Sequence, residues 1–65
     1  MSIRVNGQDR DFDDQTLASV ITRMHLNPKR VAAELNGVII RRSDFESTQV
    51  RDGDVLELVG FVGGG

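Results

Sequence analysis

Polar and apolar residues alternate at the start of the chain. Ser2-Ile3-Arg4-Val5 has the period of two that is typical of a half-buried strand. Asn6-Gly7 follows and is a strong hairpin signal, because both residues tolerate a positive φ. Residues 8–12 then form a return strand, and their polarity predicts an edge position. In a tight turn we expect Arg4 to lie opposite Asp9.

The pattern next changes to a helical period. Leu17, Val20, Ile21 and Met24 recur at the spacing of one helical face, which predicts a short amphipathic helix over residues 16–25. Thr16 has the side chain of a good N-cap. We expect the helix to end at Asn27-Pro28, because the residue before a proline is disfavoured in the helical region.

The second half of the chain contains further apolar runs. The runs at 31–35 and 38–40 flank Asn36-Gly37, which predicts a second hairpin or a sharp bend. Residues 41–47 are polar around Phe45 and fit one helical turn capped by Ser43. Residues 55–62 are the most apolar, so we expect a strand inside the sheet, beside the first strand and covered on both faces.

Together these elements predict an α+β fold of the ubiquitin-like β-grasp type. It has a mixed sheet of four to five strands, with one main helix across one face. We expect a single domain over residues 1–62 and a flexible glycine-rich tail over residues 63–65.

Size and composition narrow the classes of function. Sixty-five residues are near the lower limit for a domain that folds alone, which favours a module that works with partners over a self-sufficient enzyme. The net charge of -2 does not suit a nucleic-acid binder, and the absence of cysteine excludes thiolate metal sites. No apolar run reaches the length of a membrane span, so we expect a cytoplasmic protein.

The candidate chemistry lies in the glycines that follow the last strand. Gly63, Gly64 and Gly65 carry no side chain, so this segment can enter a channel too narrow for other residues. We therefore expect the carboxylate of Gly65 to be the reactive group, although a simple disordered end is an open alternative. Phe61 and Val62 are candidates for an apolar anchor on a partner, and Phe61 has an equal alternative as a core residue.

Several short motifs occur in an order that is more specific than any one of them. They are Ile3-Arg4-Val5-Asn6-Gly7, Thr16-Leu17, Val31-Ala32-Ala33-Glu34-Leu35-Asn36-Gly37, Arg51-Asp52-Gly53-Asp54 and Phe61-Val62-Gly63-Gly64-Gly65. In this order the whole chain resembles the ThiS family of sulfur carriers of thiamin biosynthesis, within the MoaD/ThiS superfamily.

The resemblance implies a carrier rather than an enzyme. A ThiF-type enzyme would adenylate Gly65 with ATP as its substrate, and a thiocarboxylate would then form there. A cysteine desulfurase would supply the sulfur, and thiazole synthase (ThiG) would accept it. The resemblance implies no bound cofactor or metal, and the simplest expectation for the free chain is a monomer.

Alternative functions remain open from the sequence. A small subunit of molybdopterin synthase and a ubiquitin-like protein modifier also end in Gly-Gly, and a binding module with an inert tail would need no chemistry. Arg41-Arg42 has two interpretations, a solvated surface pair and a contact for an acidic partner face or for ATP phosphates. His25 suits the C-terminal end of the helix dipole, and the role of Gly60 stays open.

Overall fold

A computed structural model describes residues 1–13 and 15–61 of the chain. In this part of the chain the regular elements are five strands, one α-helix and two 3₁₀ turns. The strands are β1 (Ser2–Val5), β2 (Gln8–Asp11), β3 (Val31–Leu35), β4 (Val38–Ile40) and β5 (Val55–Gly60), the helix is α1 (Leu17–Arg23), and the 3₁₀ turns are Pro28–Arg30 and Arg42–Asp44.

The strands form one mixed sheet in the order β2-β1-β5-β3-β4. The last strand, β5, lies at its centre, parallel to β1 and antiparallel to β3. Each outer pair is an antiparallel hairpin, β1 with β2 and β3 with β4. This is the β-grasp architecture that the pattern predicted, and the expected place of the last strand beside the first is confirmed.

Both predicted Asn-Gly hairpins are confirmed. Asn6 and Gly7 have φ values of 49° and 82°, and Asn36 and Gly37 have φ values of 51° and 84°. Two successive positive φ values give the turn that matches the twist of the flanking strands. In the first hairpin Arg4 pairs with Asp9 as expected, with Nε 3.2 Å from Oδ1.

The predicted helix is confirmed, but it is shorter than the pattern suggested. Thr16 is its N-cap, and Thr16 Oγ1 accepts a hydrogen bond from the Ser19 N–H at 3.2 Å. His25 has a φ of 62°, and the N–H groups of His25 and Leu26 donate to the carbonyls of Thr22 and Ile21. This pairing is a Schellman motif, so the helix ends before the Asn27-Pro28 stop signal is reached.

One core joins the sheet and the helix. Its buried apolar side chains come from β1, β3, β5 and α1, from the residue that follows β2, and from the loop after the second 3₁₀ turn. They are Ile3, Val5, Phe12, Leu17, Val20, Ile21, Val31, Ala33, Phe45, Val50, Leu56 and Leu58. Phe45 lies in this core, but the prediction that Ser43 caps its turn was wrong. The turn begins after Arg41 without a side-chain cap.

The prediction that β5 is covered on both faces was wrong. Leu56 and Leu58 are buried beneath α1, whereas Val55, Glu57 and Val59 point to the opposite face and are exposed. The one α-helix of residues 1–13 and 15–61 covers only one face of the sheet. The predicted strand was also longer than β5, and Val62 lies outside the described residues.

No helix in the described ranges is long and apolar enough to span a membrane.

Candidate functional site

The candidate site begins where β5 leaves the sheet. Gly60 is paired with Val31, and the N–H of Phe61 donates to the carbonyl of Arg30 at 2.9 Å. The side chain of Phe61 is 53% exposed, so the alternative that placed it in the core was wrong. Its expected role as a partner anchor, shared with Val62, stays a prediction.

The predicted chemistry itself falls on the segment after Phe61. Val62, Gly63, Gly64 and Gly65 lie outside the described residues, as does the predicted boundary between domain and tail. The structure therefore shows how the strand that precedes this segment is held in place.

The first hairpin turn holds the middle of β5. The Asn6 Nδ2–H donates to the carbonyl of Leu58 at 3.0 Å, and Asn6 Oδ1 accepts from the Leu58 N–H at 2.8 Å. The backbone N–H of Asn6 also donates to the carbonyl of Leu56. The side chain thus continues the parallel β1–β5 pairing after the backbone of β1 has turned away.

The second hairpin turn holds the start of the same strand. Asn36 Oδ1 accepts from the Val55 N–H at 2.9 Å, and the Asn36 N–H donates to the Val55 carbonyl at 2.8 Å. The Asn36 Nδ2–H donates to Asp54 Oδ1 at 3.0 Å, and Asp54 Oδ2 accepts from the Arg51 N–H. Both Asn-Gly turns therefore fix the strand that leads to the glycine segment.

A basic depression lies beside the last described residue. It has a volume of about 340 Å³ and is lined by Asn27, Lys29, Arg30 and Phe61. Asn27 Oδ1 accepts from the Lys29 N–H at 2.9 Å and so caps the 3₁₀ turn that contains Lys29 and Arg30. Sequence reasoning did not select Lys29 and Arg30, although the Pro-Lys-Arg order at a turn was a usable signal.

The other residues singled out in the sequence are apart from this point. His25 is exposed and lies just after the C-cap of α1, and Arg41 and Arg42 are exposed at the start of the second 3₁₀ turn. Gly60 lies in regular pairing at the end of β5, where an added Cβ would meet the Arg30 carbonyl at 4.0 Å, an ordinary contact. Among the described residues no group of three or more His, Cys, Asp or Glu side chains could hold a metal ion.

Comparison with known proteins decides the family. The model of the ThiS family matches residues 3–65, which include all of the fold except the first residue of β1, and the glycine segment. The chain belongs to the ThiS family. The resemblance seen in the sequence motifs is thereby confirmed.

Sequence similarity to individual proteins supports membership in the ThiS family. The chain is 34% identical over 65 residues to the sulfur carrier protein ThiS of Bacillus subtilis, covering 97% of this chain and 98% of that one. It is also 35% identical over 66 residues to a thiazole synthase of Paramagnetospirillum magneticum. That match covers all of this chain but only 20% of the longer protein.

A solved structure supports the fold. The crystal structure of the thiamine biosynthesis protein ThiS from Geobacter metallireducens matches with a TM-score of 0.83 and 32% sequence identity, and the match covers all of both chains. The β-grasp seen here is thus the fold of a ThiS protein.

Proposed function

We propose that this chain is a sulfur carrier for thiazole formation in thiamin biosynthesis. The proposal is supported by ThiS family membership over residues 3–65 and by similarity to a named sulfur carrier along nearly the whole chain. In this role the chain is a covalent co-substrate of partner enzymes, and its carboxyl at Gly65 is the group that reacts.

The first step activates the carboxyl. An α-carboxyl group is ionised at neutral pH and is therefore a poor acyl electrophile. One carboxylate oxygen of Gly65 attacks the α-phosphorus of ATP, forming an acyl-adenylate as the bond to the β-phosphate breaks and pyrophosphate leaves. A ThiF-type enzyme performs this step, with ATP as its substrate.

The second step exchanges oxygen for sulfur. Hydrosulfide attacks the acyl carbon of the adenylate, the bond to the AMP oxygen breaks, and a thiocarboxylate remains on Gly65. A persulfide on a cysteine desulfurase serves equally, provided that a second thiol reduces the acyl disulfide formed first. The thiocarboxylate sulfur is nucleophilic and is donated to thiazole synthase.

The observation that carries the proposal is that β5, the strand just before the tail, is firmly held in the sheet. This central strand is hydrogen-bonded by the side chains of Asn6 and Asn36, and it is followed by the exposed Phe61, two residues before the first glycine of the tail. From Phe61 an extended segment of four residues reaches on the order of 13 Å, far enough to carry a carboxyl into a partner's active site.

Glycines can enter a narrow channel, but fixing their flexible backbone there costs free energy. Ordering each backbone residue costs about 1–2 kcal/mol, which the partner must offset. Backbone hydrogen bonds to the segment and apolar contacts to Phe61 and Val62 are the contacts proposed to do so.

The test is the intact mass of the chain after incubation with ATP, a ThiF-type enzyme and sulfide. The expected result is a gain equal to the replacement of one oxygen by sulfur, located on Gly65 by fragmentation. An unchanged mass, with the enzyme competent on another carrier, would contradict the proposal. If the chain instead becomes covalently attached to lysines of other proteins, the result would indicate a protein modifier.

A further inference from the structure

The face of the sheet opposite α1 carries an apolar patch with two carboxylates in its centre. We call it the open-face patch, and its members come from the three strands β3, β4 and β5. Ile39 is 78% exposed and Val59 is 64% exposed. Together with Ala32, Glu34 and Glu57 they line a depression of about 230 Å³.

The two carboxylates stand directly opposite each other. Glu34 of β3 and Glu57 of β5 are Cα partners in the antiparallel pair, which brings their Cβ atoms to about 4.5–5.5 Å. Within the described residues neither side chain has a hydrogen bond or an ion pair. Arg4 lies on the same face of the sheet, but its guanidinium contacts Asp9 on the far side of β1.

The fold gives no structural reason for this pair. Like charges directly opposite each other destabilise a sheet. Charged residues often protect edge strands from unwanted pairing, but β3 and β5 are both paired on two sides. The pair is therefore unfavourable in the isolated chain, and its neighbours Ile39 and Val59 expose apolar surface at the same place.

We propose that the open-face patch docks the enzyme that adenylates the tail, through an arginine of that enzyme placed between Glu34 and Glu57. A guanidinium is planar and presents five donors, so one group can bind both carboxylates. Apolar side chains around it would cover Ile39 and Val59 and exclude water, which strengthens the charge interaction.

The position of the patch points to this partner. Val59 lies in β5, only two residues before Phe61, which follows that strand, so a protein that encloses the tail also reaches the patch. This choice of partner rests on the proposed function. A second copy of the chain is a poor occupant, because two patches face to face would bring four carboxylates together.

The test compares two double variants that remove the same charge. Glu34→Gln with Glu57→Gln removes the central carboxylates, and Asp11→Asn with Glu46→Gln removes two exposed acids elsewhere. Calorimetric titration of the ThiF-type enzyme should give a Kd about tenfold higher or more for the first variant. The second should stay within about twofold of the unsubstituted chain.

The salt dependence provides a second readout. Raising the salt concentration should weaken binding of the unsubstituted chain and of the control variant, and should weaken binding of the patch variant less. Equal affinities for all three chains would overturn the proposal, as would a failure of the unsubstituted chain to bind. A stable dimer that buries the patch, seen by sedimentation equilibrium, would overturn it as well.

This proposal and the proposed function can fail separately. If the unsubstituted chain gains sulfur but the patch variant binds as tightly, only the docking proposal is wrong. If the patch variant loses affinity but the unsubstituted chain never gains sulfur, the docking proposal stands and the carrier chemistry is wrong.

Discussion

At the scale of single residues, Asn6 links two parts of the chain that are far apart in sequence. Its amide satisfies both backbone groups of Leu58. We expect Asn6→Gly, which keeps the positive φ, to lower the free energy of unfolding by about 2–3 kcal/mol through the loss of these two hydrogen bonds. Urea denaturation measures the change.

The matched control for this prediction is a substitution of Gly7, the other residue of the same turn. Gly7 has a φ of 82° and no side-chain contact within 4 Å of a built Cβ. Gly7→Ala should destabilise only through the strain of its positive φ, by about 1 kcal/mol. If Asn6→Gly changes stability by less than this, the amide does not hold β5 as the distances indicate.

The hydrogen bonds of Asn6 mark a limit of prediction from sequence. Asn6-Gly7 and Asn36-Gly37 correctly predicted two turns, because turn preference depends on residues next to each other. The partner of the Asn6 side chain lies 52 positions along the chain. Local patterns hold no information about such a contact, so its role in fixing β5 was visible only in the structure.

At the scale of elements, the start of α1 depends on its cap. Thr16 Oγ1 accepts from the Ser19 N–H and donates to Ser19 Oγ at 2.9 Å. Thr16→Ala should lower the free energy of unfolding by about 1 kcal/mol, because an N–H of the first turn loses its acceptor. Thr16→Ser keeps the hydroxyl and should remain within about 0.5 kcal/mol in the same thermal or urea measurement.

The elements predicted from sequence were right where one period dominated the pattern. The helical spacing of Leu17, Val20 and Ile21 placed α1, and the polarity of residues 8–12 placed an exposed edge strand. In β5 the apolar residues on both faces hid the period of two, and only Glu57 marked the open face. The members of the open-face patch were not predicted, because they depend on the register of β3 against β5.

The like-charge pair on the sheet makes a further prediction at this scale. Glu57→Gln should raise the free energy of unfolding by a few tenths of a kcal/mol, about 0.2–1, because the repulsion from Glu34 is removed. Glu46→Gln, a loop substitution with no opposing acid in the sheet, should leave it unchanged. The contrary result, a loss of stability for Glu57→Gln, would mean that Glu57 makes a favourable contact in the free chain.

At the scale of the whole molecule, the residues that stabilise the fold and the group proposed to react lie in different parts of the chain. Every buried apolar side chain of the described core lies between Ile3 and Leu58. The reactive group proposed at Gly65 is beyond this range. Under the proposed function, partners would recognise the fold, and the glycine segment would enter their active sites.

This separation predicts the effect of deleting Gly65. The free energy of unfolding should stay within about 0.5 kcal/mol, because no residue of the core changes. Adenylation should nevertheless be lost, because the carboxyl of the shortened chain stops about 3.3 Å short of the α-phosphate. Pyrophosphate release by the ThiF-type enzyme measures the second effect and urea denaturation the first.

A residue added after Gly65 is the complementary variant. Addition of one alanine moves the carboxyl past the α-phosphate and introduces a Cβ, so adenylation should again be lost while the fold stays intact. Both altered chains should still bind the enzyme through the open-face patch and should compete with the unsubstituted chain. If either chain accepts sulfur at the normal rate, the reaction does not depend on the position of the terminal carboxyl, and the carrier chemistry proposed for Gly65 is wrong.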